Sequence, residues 1–154
     1  MIIPLSLHDH EMVEQVWGLQ HTAYRLEALA VGLTEYPPLP DTFESLRNST
    51  ERFYGYISDE EGDLMGAIAT TSFIPGNLEI TRLMVHSSYL RQGIGSSLLK
   101  YVISCHPEVE TFGVTAGTLN IAAVSLYQEY GFMPYGTIMA APGVELTRFQ
   151  LKTN

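Results

Sequence analysis

Cysteine is almost absent from this sequence of 154 residues, and its absence limits the chemistry that the chain can perform. Cys105 is the only cysteine, so no disulfide can form within the chain and no cysteine-rich metal site exists. It follows a predicted helix end without a histidine or aspartate pattern around it, which argues against a covalent route through this thiol. The histidines show no metal-ligand spacing either, so we expect no metal site.

Positive charge is also scarce. The chain has 8 lysines and arginines against 17 aspartates and glutamates, which gives a formal net charge of −9. This acidity argues against nonspecific binding to nucleic acid or to an anionic membrane. The sequence has neither the features of a signal peptide nor an apolar run of the roughly 20 residues that span a bilayer. We therefore expect a cytoplasmic protein without nucleic-acid or membrane partners.

The composition that remains is typical of a folded globular protein. Hydrophobic residues make up 45% of the chain and charged residues 16%. Its length suits one domain with one sizeable core. Because the sequence shows no linker, low-complexity segment or internal repeat, we interpret residues 1–154 as a single domain.

Hydrophobic periodicity predicts alternating helices and strands. The predicted order is β-α-α-β-β-β-α-β-α-β-β, which indicates an α+β or mixed α/β fold. Asp41 is the predicted cap of the second helix, after a proline-rich connector over residues 36–40. The predicted strands cover residues 2–7, 53–57, 64–73, 78–85, 111–116, 133–139 and 145–151, and the helices cover residues 12–30, a short segment after 41, about 94–104 and 120–130.

The pattern from Leu78 to Lys100 predicts a strand, a turn and a helix, and this stretch is the most informative part of the sequence. Gly93 and Gly95 lie where the helix begins. Without Cβ atoms, glycines let the backbone turn tightly and bring its N–H groups against a ligand. The first N–H groups of a helix have no internal partners, and the helix dipole there favours an anion. This stretch is therefore a candidate site for phosphate or pyrophosphate.

Two common phosphate-binding patterns do not fit this turn. A P-loop requires a Lys-Ser/Thr pair after its second glycine, and residues 93–97 contain none. A dinucleotide-binding fingerprint requires a third small residue, but Leu98 stands there. Its first strand should also lie near the start of the chain, whereas this turn lies past the middle.

A third pattern fits better. The segment Arg91–Ser96 resembles the acetyl-CoA pyrophosphate loop of the GNAT N-acetyltransferase superfamily, Gln/Arg-x-x-Gly-x-Gly/Ala. Gly93 and Gly95 match the two small positions. Leu90 stands at the leading Gln/Arg position, which is a departure from the family pattern, and Arg91 is the cation next to it. The backbone N–H groups of residues 92–96 do not depend on that side chain.

A second segment, Asn120–Phe132, resembles the other signature of the same family. That signature is an asparagine ahead of a helix with alanines and a Leu-Tyr pair, ended by Gly-Phe. The resemblance implies a single GNAT-like domain with a central mixed, mostly antiparallel sheet flanked by helices. It also implies that an acetyl group passes from acetyl-CoA, as cosubstrate and without a metal, to a primary amine by direct nucleophilic attack.

The resemblance assigns the binding of acetyl-CoA to two parts of the chain. The pantetheine arm would form hydrogen bonds with the backbone of the predicted strand over residues 78–85, as an added strand does, and Asn120 would contact it from the other side. Asn120 is equally suited to cap the helix that follows. The residues assigned in this way are Leu83, Met84 and Val85 for the pantetheine and Arg91, Gln92, Gly93, Ile94, Gly95 and Ser96 for the pyrophosphate.

Tyr127 matches the general acid of the family. A phenol of unperturbed pKa about 10 is neutral at pH 7 and can donate a proton to a thiolate whose conjugate acid has a pKa near 8.5. The simpler interpretation is a helix residue that packs its ring. Tyr130 is a less suitable substitute, because it is displaced around the helix axis.

The amine must lose its proton before it attacks, and a carboxylate usually assists. Glu79 is the first candidate base, from the place where some family members keep one; the alternative is a solvent-facing strand residue. Period-two geometry predicts Glu79 on the same face as Thr81 and Leu83, opposite Ile80 and Arg82. Glu27 and Glu35, from the wall that binds the acceptor in this family, are further candidates.

Two other functions remain open at this point. A domain of this fold could bind acyl-CoA as a sensor or interaction module without catalysis, because fold does not fix function. The third hypothesis is a nucleotide-phosphate enzyme, which would bind ATP or NAD in competition with CoA. Nothing in the sequence identifies the acceptor, and the final hairpin is a candidate surface for the homodimerisation that is common in the family.

Overall fold

The described part of the chain folds into one seven-stranded sheet with two α-helices on each face. The computed structural model describes residues 1–30 and 42–153, without the side chains of Glu27 and Ala30. The strands lie in the order β1-β2-β3-β4-β5-β7-β6. The elements are β1 Ile2–Leu5, α1 His10–Ala30, α2 Phe43–Arg47, β2 Arg52–Ile57, β3 Leu64–Thr71, β4 Asn77–Val85, α3 Ile94–Cys105, β5 Thr111–Gly117, α4 Ile121–Glu129, β6 Met133–Ala141 and β7 Val144–Lys152.

The pairing of the strands confirms the predicted fold class. Every neighbouring pair in the sheet is antiparallel except β4 and β5, which run parallel. A parallel pair needs a crossover connection, and α3 supplies it between these two strands. The sheet is thus mixed and mostly antiparallel, and the order of its elements is the predicted one.

Apolar stripes on the helices explain why the sheet is covered on both faces. α1 and α2 bury Val13, Val16 and Leu46 in one hydrophobic cluster. α3 and α4 contribute to a second cluster, which includes Leu98 and Tyr127. Side chains three and four positions apart share one face of a helix, so each helix buries one stripe against the sheet.

The start of α2 differs from the prediction. Thr42, not Asp41, is the N-cap residue, and its side chain accepts a hydrogen bond from the backbone N–H of Ser45. Ser45 in turn accepts from the backbone N–H of Thr42, which completes a capping box. Asp41 and the predicted connector over residues 36–40 lie outside the described residues.

A β-bulge in β4 overturns the predicted facing of its side chains. Consecutive residues of β3 pair with Ile80 and Arg82, which leaves Thr81 without an opposite residue. One extra residue inverts the alternation beyond it. Leu83 therefore packs with the cluster that contains Ile80, and the prediction that Glu79 and Leu83 share a face was wrong.

Two kinds of feature are missing from residues 1–30 and 42–153. No helix there is both long and apolar enough to cross a membrane. Nor do three histidine, cysteine, aspartate or glutamate side chains come together in a group that could hold a metal ion.

Candidate active site

A cleft opens where β4 and β5 separate. Their parallel pairing runs only from Asn77–Thr111 to Ile80–Val114, although both strands continue for several residues beyond it. The bulge at Thr81 lies at this point of separation. The resulting cleft has a volume of about 1050 Å³.

The lining of the cleft divides into two ends. At one end lie residues of β4, β5, α4 and the start of α3, among them Leu83, Met84, Val85, Leu90, Gly95, Thr115, Ala116, Asn120, Ala122, Ala123, Leu126 and Tyr127. At the other end lie α1, α2 and the segments beside them, with Gln20, Ala23, Tyr24, Leu26, Ser45, Asn48, Ser49, Thr50, Glu51, Thr71, Phe73, Thr81 and Arg82. The cleft is therefore lined by residues from both faces of the sheet, at the point where β4 and β5 separate.

The glycine loop gives α3 an open N-terminus. Gly93 is the N-cap residue with φ 76° and ψ 14°, and no side chain caps the helix. This left-handed conformation is costly for residues with a Cβ atom. Arg91 also has a positive φ, 64°, which is uncommon for a residue other than glycine. The N–H groups of the first helical turn are thus free of intrahelical partners, as an anion site requires.

The backbone conformation does not require glycine at position 95, unlike position 93. The φ of Gly95 is not positive, and an added Cβ would lie 3.6 Å from Cγ2 of Val85 and 3.7 Å from Cδ2 of Leu126. These are ordinary contact distances, so alanine would fit there. The family loop accepts glycine or alanine at the position that Gly95 matches.

The predicted cofactor residues are brought together only in part. Leu83, Met84, Val85, Gly95 and Asn120 line the same cleft. The other predicted residues, Arg91, Gln92, Gly93, Ile94 and Ser96, belong to the adjoining loop and first turn of α3 and do not line it.

Two side chains of the first turn of α3 are occupied elsewhere. Ile94 is buried in the core, so only its backbone can meet a ligand. The hydroxyl of Ser96 is hydrogen-bonded to that of Tyr130, which ties α3 to α4.

Asn120 has the capping role that the sequence left open, and it also lines the cleft. Its Oδ1 accepts a hydrogen bond from the backbone N–H of Ala123 at 3.3 Å, at the start of α4. Both readings of this residue are therefore compatible.

Tyr127 is held firmly at the wall of the cleft. Its side chain is 5% exposed. Its ring contacts Phe132 edge-on at 5.8 Å between centroids and Phe149 at 6.1 Å. Such packing restrains the orientation of the Tyr127 ring and its hydroxyl.

Glu79 is not among the residues that line the cleft. Its carboxylate lies over Gly113 of β5, where an added Cβ would collide with Oε2. Burial raises the pKa of Glu79, and the charge of Arg148 offsets part of that rise. A raised pKa suits a base, but the position does not, and the other candidates, Glu27 and Glu35, lie outside the described residues.

The replacement Glu79→Gln should therefore change the rate of acetyl transfer by less than about tenfold, well below the roughly 10²–10⁴-fold that a general base contributes. Because the folded-state pKa is raised, the contribution of Glu79 to stability is full below its ordinary value of 4.5 and declines as the pH rises through the raised value. The variant lacks this decline, which thermal unfolding from about pH 4 to 7 would detect. A rate loss of about 100-fold with an altered pH profile would restore Glu79 as the base.

An ion pair that sequence reasoning missed lies at the other end of the cleft. Nη2 of Arg82 donates to Oε1 of Glu51 at 2.9 Å, and Nε donates to Oε2 at 3.1 Å. The two side chains are 15% and 17% exposed. Burial would raise the pKa of Glu51, but hydrogen bonds from Arg82 and Thr81 and the charge of Arg82 outweigh it and lower the pKa. An arginine within an apolar strand needs a partner, which is a signal, but 31 residues separate the two in the chain.

Comparisons with known proteins agree with this geometry. The profile of the Acetyltransferase (GNAT) family matches residues 13–132. The chain is 34% identical over 151 residues to the UPF0157 protein YqkA of Bacillus subtilis, covering 98% of this chain but only 43% of the relative. It is 32% identical over 115 residues to the [Ribosomal protein bS18]-alanine N-acetyltransferase of Escherichia coli K12, covering 71% of this chain and 72% of that enzyme.

Solved structures show the same fold. The ribosomal-protein-S18-alanine N-acetyltransferase from Escherichia coli superposes with a TM-score of 0.75 at 17% identity, over 99% of this chain and 94% of that one. A chain of the NatC complex bound to Gag peptide and CoA gives a TM-score of 0.73 at 17% identity, over 100% and 98%. The chain belongs to the GNAT family of acetyltransferases.

Proposed function

We propose that this protein transfers the acetyl group of acetyl-CoA to a primary amine by direct nucleophilic attack. One observation supports this most strongly: the free end of β4, Gly95 in the first turn of α3 and Tyr127 line a single cleft. Each of them supplies something that the reaction requires. The cleft is also large enough for an extended ligand, at about 1050 Å³.

The backbone of the chain suits the two parts of CoA. Beyond Ile80 and Val114 no pairing joins β4 to β5, so the edge of β4 at Leu83–Val85 can accept and donate hydrogen bonds like the edge of a sheet. The N–H groups at the start of α3 suit the pyrophosphate. Leu90 leaves the loop without a polar side chain at the leading family position, so these contacts come mainly from backbone.

The reaction needs one proton to leave and another to arrive. The neutral amine attacks the carbonyl carbon of the thioester, the new C–N bond forms, and the C–S bond breaks. Tyr127 donates a proton to the departing sulfur, which makes the thiol of CoA the product rather than a thiolate. The proton of the ammonium leaves before attack, since an alkyl ammonium of pKa near 10 is mostly charged at pH 7.

The α-amine of a peptide is the first acceptor to test. The name of the Escherichia coli relative assigns it the alanine of a ribosomal protein, and the NatC structure contains a peptide. The end of the cleft lined by α1, α2 and the segments beside them is the proposed acceptor end, and there the side chains of Asn48 and Thr50 can bond a peptide backbone. A cytoplasmic location fits such an acceptor and stays a prediction.

The edge strand β6 supports a homodimer. It is exposed along most of its length, and Met133, Tyr135, Ile138 and Met139 are between 44% and 66% exposed. Apolar edge strands tend to pair with a further strand.

The test is a transfer assay with acetyl-CoA and a panel of peptide, polyamine and small-molecule amines, in which free thiol and acetylated product are both measured. We expect equal amounts of thiol and product for at least one amine, together with binding of CoA by calorimetry. Binding of CoA without turnover of any amine would indicate a non-catalytic acyl-CoA module. Absence of CoA binding, with binding of ATP or NAD instead, would contradict both the acetyltransferase and the acyl-CoA module.

A further inference from the structure

Among the described residues, one pair of opposite charges lies at the acceptor end of the cleft. Glu51 and Arg82 are the only charged side chains among the described residues that line the cleft. Their side chains are mostly buried, so solvent screens them less than it screens surface charges. The charge that the described part of this lining presents to an incoming acceptor therefore depends on these two residues.

Glu51 is fully engaged and is unsuited to remove a proton. Oε1 accepts hydrogen bonds from Ser49 at 2.9 Å and from Arg82 at 2.9 Å. Oε2 accepts from Arg82 at 3.1 Å and from the hydroxyl of Thr81. A carboxylate has about four acceptor sites, and these bonds occupy them.

Arg82 is fixed from three sides. It donates to Glu51 through two nitrogens and to the side chain of Gln20 on α1 through the third. Its guanidinium also lies 5.6 Å from the centre of the Phe53 ring. Because Arg82 follows the bulge at Thr81, the inverted alternation turns it towards the acceptor end, away from the face of Leu83.

We propose that Arg82 determines the acceptor specificity of this enzyme by neutralising Glu51, so that the site takes amines on otherwise uncharged chains and does not favour polycations. This inference rests on the proposed function and narrows its substrate class. A pocket for polyamines or aminoglycosides needs unpaired carboxylates to hold the additional ammonium groups. Here the one carboxylate of the described lining is already paired within the protein.

The test changes the charge of the wall in both directions. Arg82→Gln leaves the wall with one negative charge, Glu51→Gln leaves it with one positive charge, and the double replacement is neutral again. Lys152→Gln is the control, since it removes a cation at the exposed end of β7, outside the cleft. The probes are spermidine and an alanine-initiated peptide amide with no other cation, each with acetyl-CoA.

For Arg82→Gln, we expect the rate ratio of spermidine to peptide to rise roughly tenfold, since one uncompensated charge at this depth attracts each additional ammonium group. Glu51→Gln should lower the ratio, and the double variant and Lys152→Gln should keep the wild-type ratio. A purely structural pair would change the melting temperature and both rates together, leaving the ratio constant, and that result would overturn the proposal.

A second measurement does not depend on turnover. Calorimetry of spermidine with the CoA-bound protein should show roughly tenfold tighter binding for Arg82→Gln and unchanged binding for the double variant. If Arg82→Gln does not unfold cooperatively, the test uses Glu51→Gln alone, and spermidine binding weaker than in the wild type would support the specificity proposal. Equal spermidine binding by all variants would refute the specificity proposal. Absence of turnover by the wild-type protein with every amine would instead refute the proposed function.

Discussion

Replacing Tyr127 by phenylalanine should lower the turnover number for acetyl transfer by roughly 10²–10⁴-fold, the contribution that a positioned general acid makes. The affinity for CoA should change little, because the ring that packs against Phe132 and Phe149 is retained. Only the hydroxyl is lost. Steady-state rates and calorimetric titration with CoA measure the two quantities separately.

Tyr130→Phe is the matched control for this replacement. It removes a hydroxyl from the end of the same helix, but one that is bonded to Ser96 and does not line the cleft. We expect a modest loss of stability and a rate within about tenfold of the wild type. If Tyr127→Phe instead weakened CoA binding as much as it lowered turnover, Tyr127 would be a binding or structural residue and the thiolate would leave unprotonated.

Much of the fold could be predicted because its signals are local. Apolar residues at three- and four-residue steps define α1, and a turn at residues 59–63 follows a period-two strand. The glycine loop was recognisable for the same reason: Gly93 and Gly95 lie close together at the start of a predicted helix, after a strand and a short turn. The backbone needs φ 76° at Gly93, so this residue type has a physical cause there.

Features that depend on pairing across the sheet were not predictable. The bulge at Thr81 arises from the register of β3 against β4, and no residue type within β4 predicts it. The prediction that Glu79 and Leu83 share a face was therefore wrong, whereas the role of Glu79 as a base stays a prediction. The ion pair of Glu51 and Arg82 depends on the same register, since the bulge sets the side of the sheet on which Arg82 lies.

The bulge connects the two ends of the site. On one side of it, β4 leaves β5 and frees its edge for the pantetheine that we propose; on the other, Thr81 and Arg82 bond to Glu51. A single irregularity in one strand thus places donor and acceptor halves next to each other. Regular pairing along the whole of β4 would leave no gap to β5 and would turn Arg82 towards the opposite face.

Replacing Gly93 by valine should weaken the binding of CoA by at least about tenfold. A β-branched residue is strained at φ 76°, by roughly 1–2 kcal/mol for the left-handed region, so the loop would rearrange and its N–H groups would turn away from the phosphates. No atom lies within 4 Å of an added Cβ in the free protein, so the added side chain would extend into open space at the mouth of the loop. Calorimetry with CoA measures the loss.

Gly62→Val is a closely matched control for this replacement. Gly62 lies in the turn between β2 and β3 with φ 71°, and an added Cβ there also meets nothing within 4 Å. The backbone strain is therefore the same, and both variants should lose similar stability, but Gly62→Val should bind CoA like the wild type. Gly95→Ala should also retain binding, since its φ is not positive and its neighbours leave room. Equal CoA affinity in Gly93→Val and Gly62→Val would mean that the pyrophosphate is held by side chains elsewhere, and the start of α3 would then be only a tight turn.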